Sequence, residues 1–361
     1  MTGECAYSFY WRGRTDSLVS HRFTRDEFAI HLTQGIFMTN QFAHPDRNLA
    51  LELVRSTEAA AIRAHPFIGR GDKNAADGAA VDAMRKFLGT VNFQGTIVIG
   101  EGEKDNAPML FNGEVVGNGN GPECDIAVDP IDGTSLTAAG RGHAISMLAV
   151  SDRGSMLDAS SVFYMEKLVA NEDGHGVIDL SQSLTDNIKA LAKAKKKPVS
   201  EIKVAILDRP RHADAIEEIR TAGAHTRLIL DGDVAAGINA ARADNRIDMC
   251  YGVGGSPEGV AVTCAIKALG GFIQGRLQWG SDEERERGLA AGLKFDYVYS
   301  ADELVASDNT FFVATGVTDG ELVRGVRPEG KWLRTESVIF RSRSGTVRRV
   351  NSDYLAERWL D

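Results

Sequence analysis

Leu49, Leu53, Val54, Thr57 and Ala61 recur at intervals of three and four after Pro45 and Asp46, and Pro66 closes the run. This spacing predicts an amphipathic helix that the proline stops. The polar loop Gly69-Arg70-Gly71-Asp72-Lys73-Asn74 leads into a second helix, with Val81, Met84 and Leu88 on one face. Short apolar runs over 96–99 and 125–128 predict strands. Each runs straight into an acidic loop: Gly100-Glu101-Gly102-Glu103 after the first, Asp129-Pro130-Ile131-Asp132-Gly133-Thr134 after the second. Residues 144–150 and 162–169 read as two further strands.

The texture changes at the basic, proline-ended stretch 193–198, where a domain boundary is expected, dividing 38–195 from 196–361. Beyond it, strand patterns over 204–207, 227–230 and 247–251 alternate with helix patterns over 213–220, 234–241 and 258–269. Such alternation predicts a parallel sheet covered by helices. Residues 337–350 read as a hairpin turning at Ser344-Gly345. There is no internal repeat.

Composition narrows the function. A formal net charge of −9 speaks against a broad nucleic-acid face, which needs clustered cations. The chain holds no run of 18 apolar residues, so no membrane partner or span is expected. Cys5, Cys124, Cys250 and Cys264 form no paired spacing, so reduced thiols in a cytoplasmic protein are expected. The first 37 residues lack organised patterning and no secretory signal is evident; they read as a disordered tail or a non-native extension ahead of a true start at Met38.

The chemistry-bearing residues stand where strands end, which is where ligands gather in α/β sheets. Pro130 fixes the backbone between Asp129 and Asp132, Gly133 allows close approach of a ligand, and Thr134 adds a hydroxyl. Paired carboxylates suit hard cations such as Mn²⁺ or Mg²⁺. An Asx turn centred on Asp132-Gly133 is the bland alternative. Glu101 and Glu103 alternate along an extended segment, so both can face one site, or simply form a solvated loop. Asp77 could equally cap the second helix, and Glu258 could simply favour a helix N-terminus. Arg209, Pro210, Arg211 and His212 follow one strand, with arginine forks suited to phosphate. Asp231, Gly232 and Asp233 follow another, able to accept from sugar hydroxyls or to cap a helix. Gly252-x-Gly254 is a poor dinucleotide fingerprint because Pro257 stands at the third glycine position. No phosphate-binding G-x-x-x-x-G-K-[ST] run and no G-x-S-x-G elbow occurs.

Eight segments in order carry a resemblance to a known family. They begin at Gly69-Arg-Gly-Asp-Lys-Asn-Ala-Ala-Asp-Gly, Ile99-Gly-Glu-Gly-Glu-Lys-Asp, Asp129-Pro-Ile-Asp-Gly-Thr and Phe163-Tyr-Met-Glu-Lys-Leu. They continue with Arg209-Pro-Arg-His, Asp231-Gly-Asp-Val-Ala, Gly252-Val-Gly-Gly-Ser-Pro-Glu-Gly and Ala314-Thr-Gly-Val-Thr-Asp-Gly. From about 46 to about 350 the chain resembles the class II fructose-1,6-bisphosphatases of bacteria. The resemblance implies an α/β fold layered α/β/α/β/α, in the lithium-sensitive sugar-phosphatase superfamily, with a metal-binding phosphatase domain at 38–195 and a substrate-binding domain with a C-terminal hairpin at 196–361. It implies hydrolysis of fructose 1,6-bisphosphate in gluconeogenesis with divalent cations, Mn²⁺ ahead of Mg²⁺.

By the same resemblance, Asp77, Glu101, Asp129, Asp132 and Glu258 would bind metal, and Thr134 and Glu103 would serve catalysis. Lys73, Asp132, Gly133, Thr134, Tyr164, Arg209, Pro210, Arg211, Asp231, Gly232, Asp233 and Gly255 would contact substrate. Some relatives carry Glu at the position of Asp132 and Lys at that of Arg209. A homo-oligomer is a family-level expectation. The rival readings are a sedoheptulose-1,7-bisphosphatase or dual-specificity enzyme and, from another class, a non-enzymatic sugar-phosphate or dinucleotide sensor.

Overall fold

The computed structural model describes residues 49–100 and 110–359, and residues 49–361 form one compact unit. The N-terminal extension, Met38, Cys5 and the start of the first helix at Pro45 lie outside the described residues, as do Glu101 and Glu103. Helix α1 (Leu49–Ala64) ends in a single 3-10 turn that contains Pro66. Helix α2 (Lys73–Leu88) is capped by Asp72, whose carboxylate accepts from the Ala75 N–H at 2.9 Å. Strands β1 (Gln94–Ile99), β2 (Val115–Val116) and β3 (Glu123–Asp132), short helix α3 (Thr134–Ala138) and β4 (Ile145–Asp152) follow.

The chain then builds a second sheet. Its elements are β5 (Tyr164–Ala170), α4 (Leu184–Ala194), β6 (Lys203–Leu207), α5 (Ala213–Thr221), β7 (His225–Ile229), α6 (Val234–Ala241), β8 (Met249–Gly255), α7 (Ser256–Leu269), β9 (Phe272–Gln278), α8 (Asp282–Ala290), β10 (Tyr299–Ser300) and α9 (Ala301–Leu304). It returns to the first sheet with β11 (Phe311–Gly316), β12 (Arg327–Glu329), β13 (Trp332–Arg341) and β14 (Thr346–Leu355). The last two are the expected hairpin, paired from Arg341 and Thr346 outward. Among the described residues the first sheet runs β12-β13-β11-β4-β3-β1-β2, with β14 on β13, and the second β10-β9-β5-β8-β6-β7.

Side-chain alternation along the strands explains the layering. Leu148, Val150, Phe311 and Val313 point to one face of the first sheet, where they pack with Leu53 and Ile62 of α1 and Met84 and Leu88 of α2. Their neighbours Met147, Ala149, Phe312 and Ala314 point to the other face, against Val260 and Ile266 of α7 and Ile238 of α6. The same central core takes Met165 and Val169 of β5 from the second sheet. Leu168 of β5 faces outward, onto Leu184, Ile188 and Leu191 of α4 and Ile216 and Ile219 of α5. The order is therefore α1/α2, first sheet, α6/α7, second sheet, α4/α5, the expected α/β/α/β/α arrangement. Sheets covered on both faces need apolar residues at consecutive positions, which is why these strands read as unbroken runs rather than alternations.

The parallel sheet expected of the second half is mixed. Strands β6, β7 and β8 are parallel neighbours. Strand β9 runs the same way as β8, but β5 lies between them and pairs antiparallel with both. Thus β8, α7 and β9 form a crossover whose gap is filled by a strand from before the basic stretch, and nothing in the local pattern of β8 or β9 encodes that insertion. Helix α4 has no counterpart among the predicted elements. Its signals are Ser183, which accepts from the Asp186 N–H at 3.1 Å, and Leu184, Ile188 and Leu191 at helical spacing.

Cys124, Cys250 and Cys264 are buried inside the fold, and among the described residues no helix is long and apolar enough to cross a membrane.

One side chain ties the end of β6 to β8. His212 is buried; its Nδ1 lies 2.8 Å from the Leu207 carbonyl and its Nε2 accepts from the Val253 N–H at 2.8 Å. These partners require the neutral tautomer with the proton on Nδ1. Burial, more than any other influence, holds the imidazole below its ordinary pKa. Such a group stabilises fully above the unfolded histidine value and loses that contribution as pH falls through the lower folded value. Thermal melts from about pH 7 to about pH 5 should therefore show a steeper loss of stability for the wild type than for His212→Gln. Parallel losses would refute this.

Candidate active site

Strands β6, β7 and β8 end at the same edge of the second sheet, where β5 begins. This edge brings together Tyr164, the 208–212 segment, the 230–233 loop and the junction at Gly255, residues spread over almost one hundred positions. Tyr164 is paired directly with Gly255. No loop separates β8 from α7: the Ser256 N–H donates to the Phe163 carbonyl at 2.9 Å, and the Ser256 hydroxyl reaches the Val162 carbonyl. Glu258 thus sits in the first turn of α7, its side chain folded back over Gly255. A Cβ on Gly255 would collide with Glu258 Oε2.

The first sheet contributes the end of β3. The register against β4 shifts between Asp129 and Asp132, where Pro130 has no N–H to give to the ladder. Asp129 Oδ1 accepts from the Ile131 N–H at 3.0 Å, so the Asx-type bond belongs to Asp129 rather than to Asp132. Gly133 adopts a left-handed conformation, φ 96°, and turns the chain into α3, leaving Thr134 at its first position, half-buried. The 69–71 loop docks on α3: Gly69 and Gly71 donate to the carbonyls of Thr137 and Ala138, both at 2.9 Å. The start of α2 is thereby brought to this corner. Lys73 is its exposed first residue. Asp77 lies in its second turn, half-buried, and the capping role is taken by Asp72.

The two sheets meet at Asp132. A Cβ on Gly232 would lie 3.0 Å from Asp132 Oδ2 and 3.1 Å from Oδ1, so the 230–233 loop lies directly on this carboxylate. Asp132 is 6% exposed, and its Oδ2 has no hydrogen-bond partner among the described residues. Burial first, then the charges of Asp233, Glu258 and Asp231, push its pKa well above the ordinary carboxylate range; Lys167 pulls the other way. Asp132, Asp231, Asp233 and Glu258 therefore share one electrostatic environment, with more negative charge than its surroundings balance.

The positive groups lie around this cluster. Arg209 donates to Asp231 Oδ1 at 3.1 Å. Arg211 donates through Nε and Nη2 to the Val253 carbonyl at 3.0 and 2.8 Å and lies over the Tyr164 ring, 5.4 Å from its centroid. Pro210 opens the 3-10 turn between the two arginines. Lys167, which the sequence patterns do not single out, is buried and ion-paired with Asp233, and it donates to the Gly255 carbonyl at 3.1 Å. Burial alone would depress its pKa, but Asp233 and Glu258 outweigh that and hold it above its usual value. No local signal marks Lys167, because Glu166 beside it makes the two read as ordinary strand charges.

The structure thus brings together Asp132, Gly133, Thr134, Tyr164, Arg209, Arg211, the 231–233 loop, Gly255 and Glu258. Among the described residues, no three histidine, cysteine, aspartate or glutamate side chains meet in a cation-holding arrangement; Glu101 and Glu103 lie outside those residues. What fits a cation is the orphaned, buried Asp132 Oδ2 amid carboxylates that repel one another. A neighbouring cleft of about 390 Å³ beside Asp231 and Gly232 is walled by Leu228, Leu230, Leu322 and Val323. Asp132, Thr134, Tyr164 and Arg209 do not line it, so it is not the polar site described above.

Comparison with known proteins bears on the same residues. The family described as "Bacterial fructose-1,6-bisphosphatase, glpX-encoded" matches residues 47–354. Fructose-1,6-bisphosphatase 1 class 2 of Escherichia coli (strain K12) is 45% identical over 325 residues, covering 86% of this chain and 96% of that protein. Fructose-1,6-bisphosphatase class 2 of Shigella flexneri matches with the same identity and coverage. A solved structure, the extragenic suppressor from Pyrococcus furiosus, overlaps 56% of this chain and 72% of its own at 16% identity, with a TM-score of 0.28, too low to support any inference. The chain belongs to the bacterial, glpX-encoded fructose-1,6-bisphosphatase family.

Proposed function

We propose that this protein hydrolyses fructose 1,6-bisphosphate to fructose 6-phosphate and inorganic phosphate, a step of gluconeogenesis. One observation carries the reading: the chain covers nearly the whole length of relatives named for that activity at 45% identity. The gathered carboxylates and arginines supply groups with the chemistry it needs.

The reacting phosphate would sit at Gly133 and Thr134, at the left-handed turn into α3. The Thr134 hydroxyl would orient the attacking water, and Glu103 would accept its proton. A bond forms from the water oxygen to phosphorus as the bond from phosphorus to the C1 oxygen breaks, and a proton restores the leaving alcohol. Arg209 and Arg211, with Tyr164 beneath Arg211, would hold the far phosphate. Asp231 and Asp233 would accept from sugar hydroxyls, with the backbone of Gly232 and Gly255 beside the sugar; Lys73, at the exposed start of α2, would add positive charge. Asp77, Glu101, Asp129, Asp132 and Glu258 would hold divalent cations, which when bound lower the pKa of water and offset phosphate charge. We put Mn²⁺ ahead of Mg²⁺ because Mg²⁺ gives up its water shell reluctantly.

Two measurements test this reading. Phosphate release should cease in excess EDTA and return on adding Mn²⁺ or Mg²⁺; an undiminished rate in chelator would refute the metal-dependent reading. Asp132→Asn should lower kcat about hundredfold or more. Yet in EDTA it should unfold no lower than the wild type, because it removes a buried charge that three carboxylates oppose. A full-rate Asp132→Asn enzyme would remove Asp132 from the chemistry.

A further inference from the structure

Strand β5 places Met165, Lys167 and Val169 on the face that looks into the central layer. Met165 and Val169 belong to the apolar core between the two sheets. The position between them calls for a hydrophobic side chain, and the chain instead puts a lysine there, 5% exposed. A buried ammonium is costly unless it is paired and hydrogen-bonded. Departures from local patterning of this kind concentrate at functional sites.

The surroundings are shaped around that ammonium. Lys167 ion-pairs with Asp233 and donates to the Gly255 carbonyl. A Cβ on Gly254 would collide with Asp233 Oδ2 and lie 2.8 Å from Lys167 Nζ. A Cβ on Gly259 would lie 3.1 Å from Lys167 Cδ. Gly254 of the Gly252-Val-Gly-Gly-Ser-Pro-Glu-Gly segment therefore clears space for the Lys167–Asp233 pair, and Gly259 for Met165 and the Lys167 stem. That assigns the segment a purpose unrelated to binding a dinucleotide. Asp233 comes from the loop before α6, Gly255 from the end of β8, Glu258 from α7 and Asp132 from β3, so one ammonium faces groups from four separate elements.

We infer that Lys167 is a positioning residue: a built-in counter-cation that fixes Asp233 and the Gly255 carbonyl where the sugar is held and keeps the surrounding carboxylates assembled before any divalent cation arrives. This rests on the fructose-bisphosphatase reading for its substrate, although the cation-binding part does not. Its ammonium is engaged by Asp233 and the Gly255 carbonyl, so it would act on the substrate through them. Removing its charge leaves the half-buried Asp233 without this ion-pair partner and makes the cluster more negative. Substrate should then bind more weakly, while divalent cations bind more tightly.

The experiment compares wild type, Lys167→Met and Lys167→Arg in the full chain. It measures kcat and KM for fructose 1,6-bisphosphate, melting temperature, and Mn²⁺ binding by calorimetry without substrate. Lys167→Met, assayed well below its melting temperature, should raise KM about tenfold or more and tighten Mn²⁺ binding about threefold or more. Lys167→Arg keeps the charge on a different fork. It should keep Mn²⁺ affinity within about twofold of wild type while still raising KM, and it carries the test if Lys167→Met does not fold. A folded Lys167→Met with KM and Mn²⁺ affinity both unchanged would overturn the inference, as would a Lys167→Arg enzyme with wild-type KM. Wild type that binds Mn²⁺ but releases no phosphate would instead overturn the fructose-bisphosphatase reading, leaving the Mn²⁺ comparison to judge Lys167 by itself.

Discussion

Carboxylates withdrawn from water repel one another and lose the hydration that would have paid for their charge, so a fold that buries several together must place positive charge among them. In this protein the constraint falls on buried Asp132 and its half-buried neighbours Asp231, Asp233 and Glu258, with Lys167 the buried positive charge inside the group and Arg209 at its edge. The glycines follow from it. Gly232 lets a loop lie on Asp132, Gly254 leaves room for the Lys167–Asp233 pair, and Gly255 yields to the folded-back Glu258. The same imbalance that makes the cluster costly in a metal-free chain is the reason to propose that it holds divalent cations.

The layered fold makes such a cluster possible. Both sheets are covered on both faces, so their interiors are lined mainly by apolar side chains and most of the candidate chemistry stands at strand ends. The ends that matter are held by backbone contacts. Strand β8 passes into α7 without a loop, the 69–71 loop is hydrogen-bonded to α3, and His212 joins the end of β6 to β8. A site assembled from two sheets depends on this rigidity, since a shift of the 230–233 loop away from Asp132 would separate the groups expected to hold the sugar from those expected to hold the metal.

Much of this was legible locally. Helical spacing located α1, α2, α5, α6 and α7, and apolar runs located β1, β3, β4, β6 and β7, because those signals depend on neighbours within a few residues. The acidic and basic motifs were legible as well, since each is contiguous and follows a strand. Lys167 was not. Within Phe163-Tyr-Met-Glu-Lys-Leu it looks like any strand lysine, and only the packing of β5 between β8 and β9 turns it inward. Gly252-x-Gly254 resembled a weak nucleotide motif because the groups beside these glycines, His212 at Gly252 and Asp233 and Lys167 at Gly254, are distant in sequence.

The sequence by itself determined the element types, the apolar runs that require doubly covered sheets, and the segments that place the chain in its family, all of which rest on short-range periodicity or contiguous residue identity. The tertiary structure alone decided that β5 fills the gap in the β8–α7–β9 crossover, that Asp132 rather than Asp129 is the buried carboxylate under Gly232, and that Lys167 faces four elements at once. Those outcomes depend on electrostatic and steric contact between residues as much as one hundred positions apart, and no local pattern carries that information.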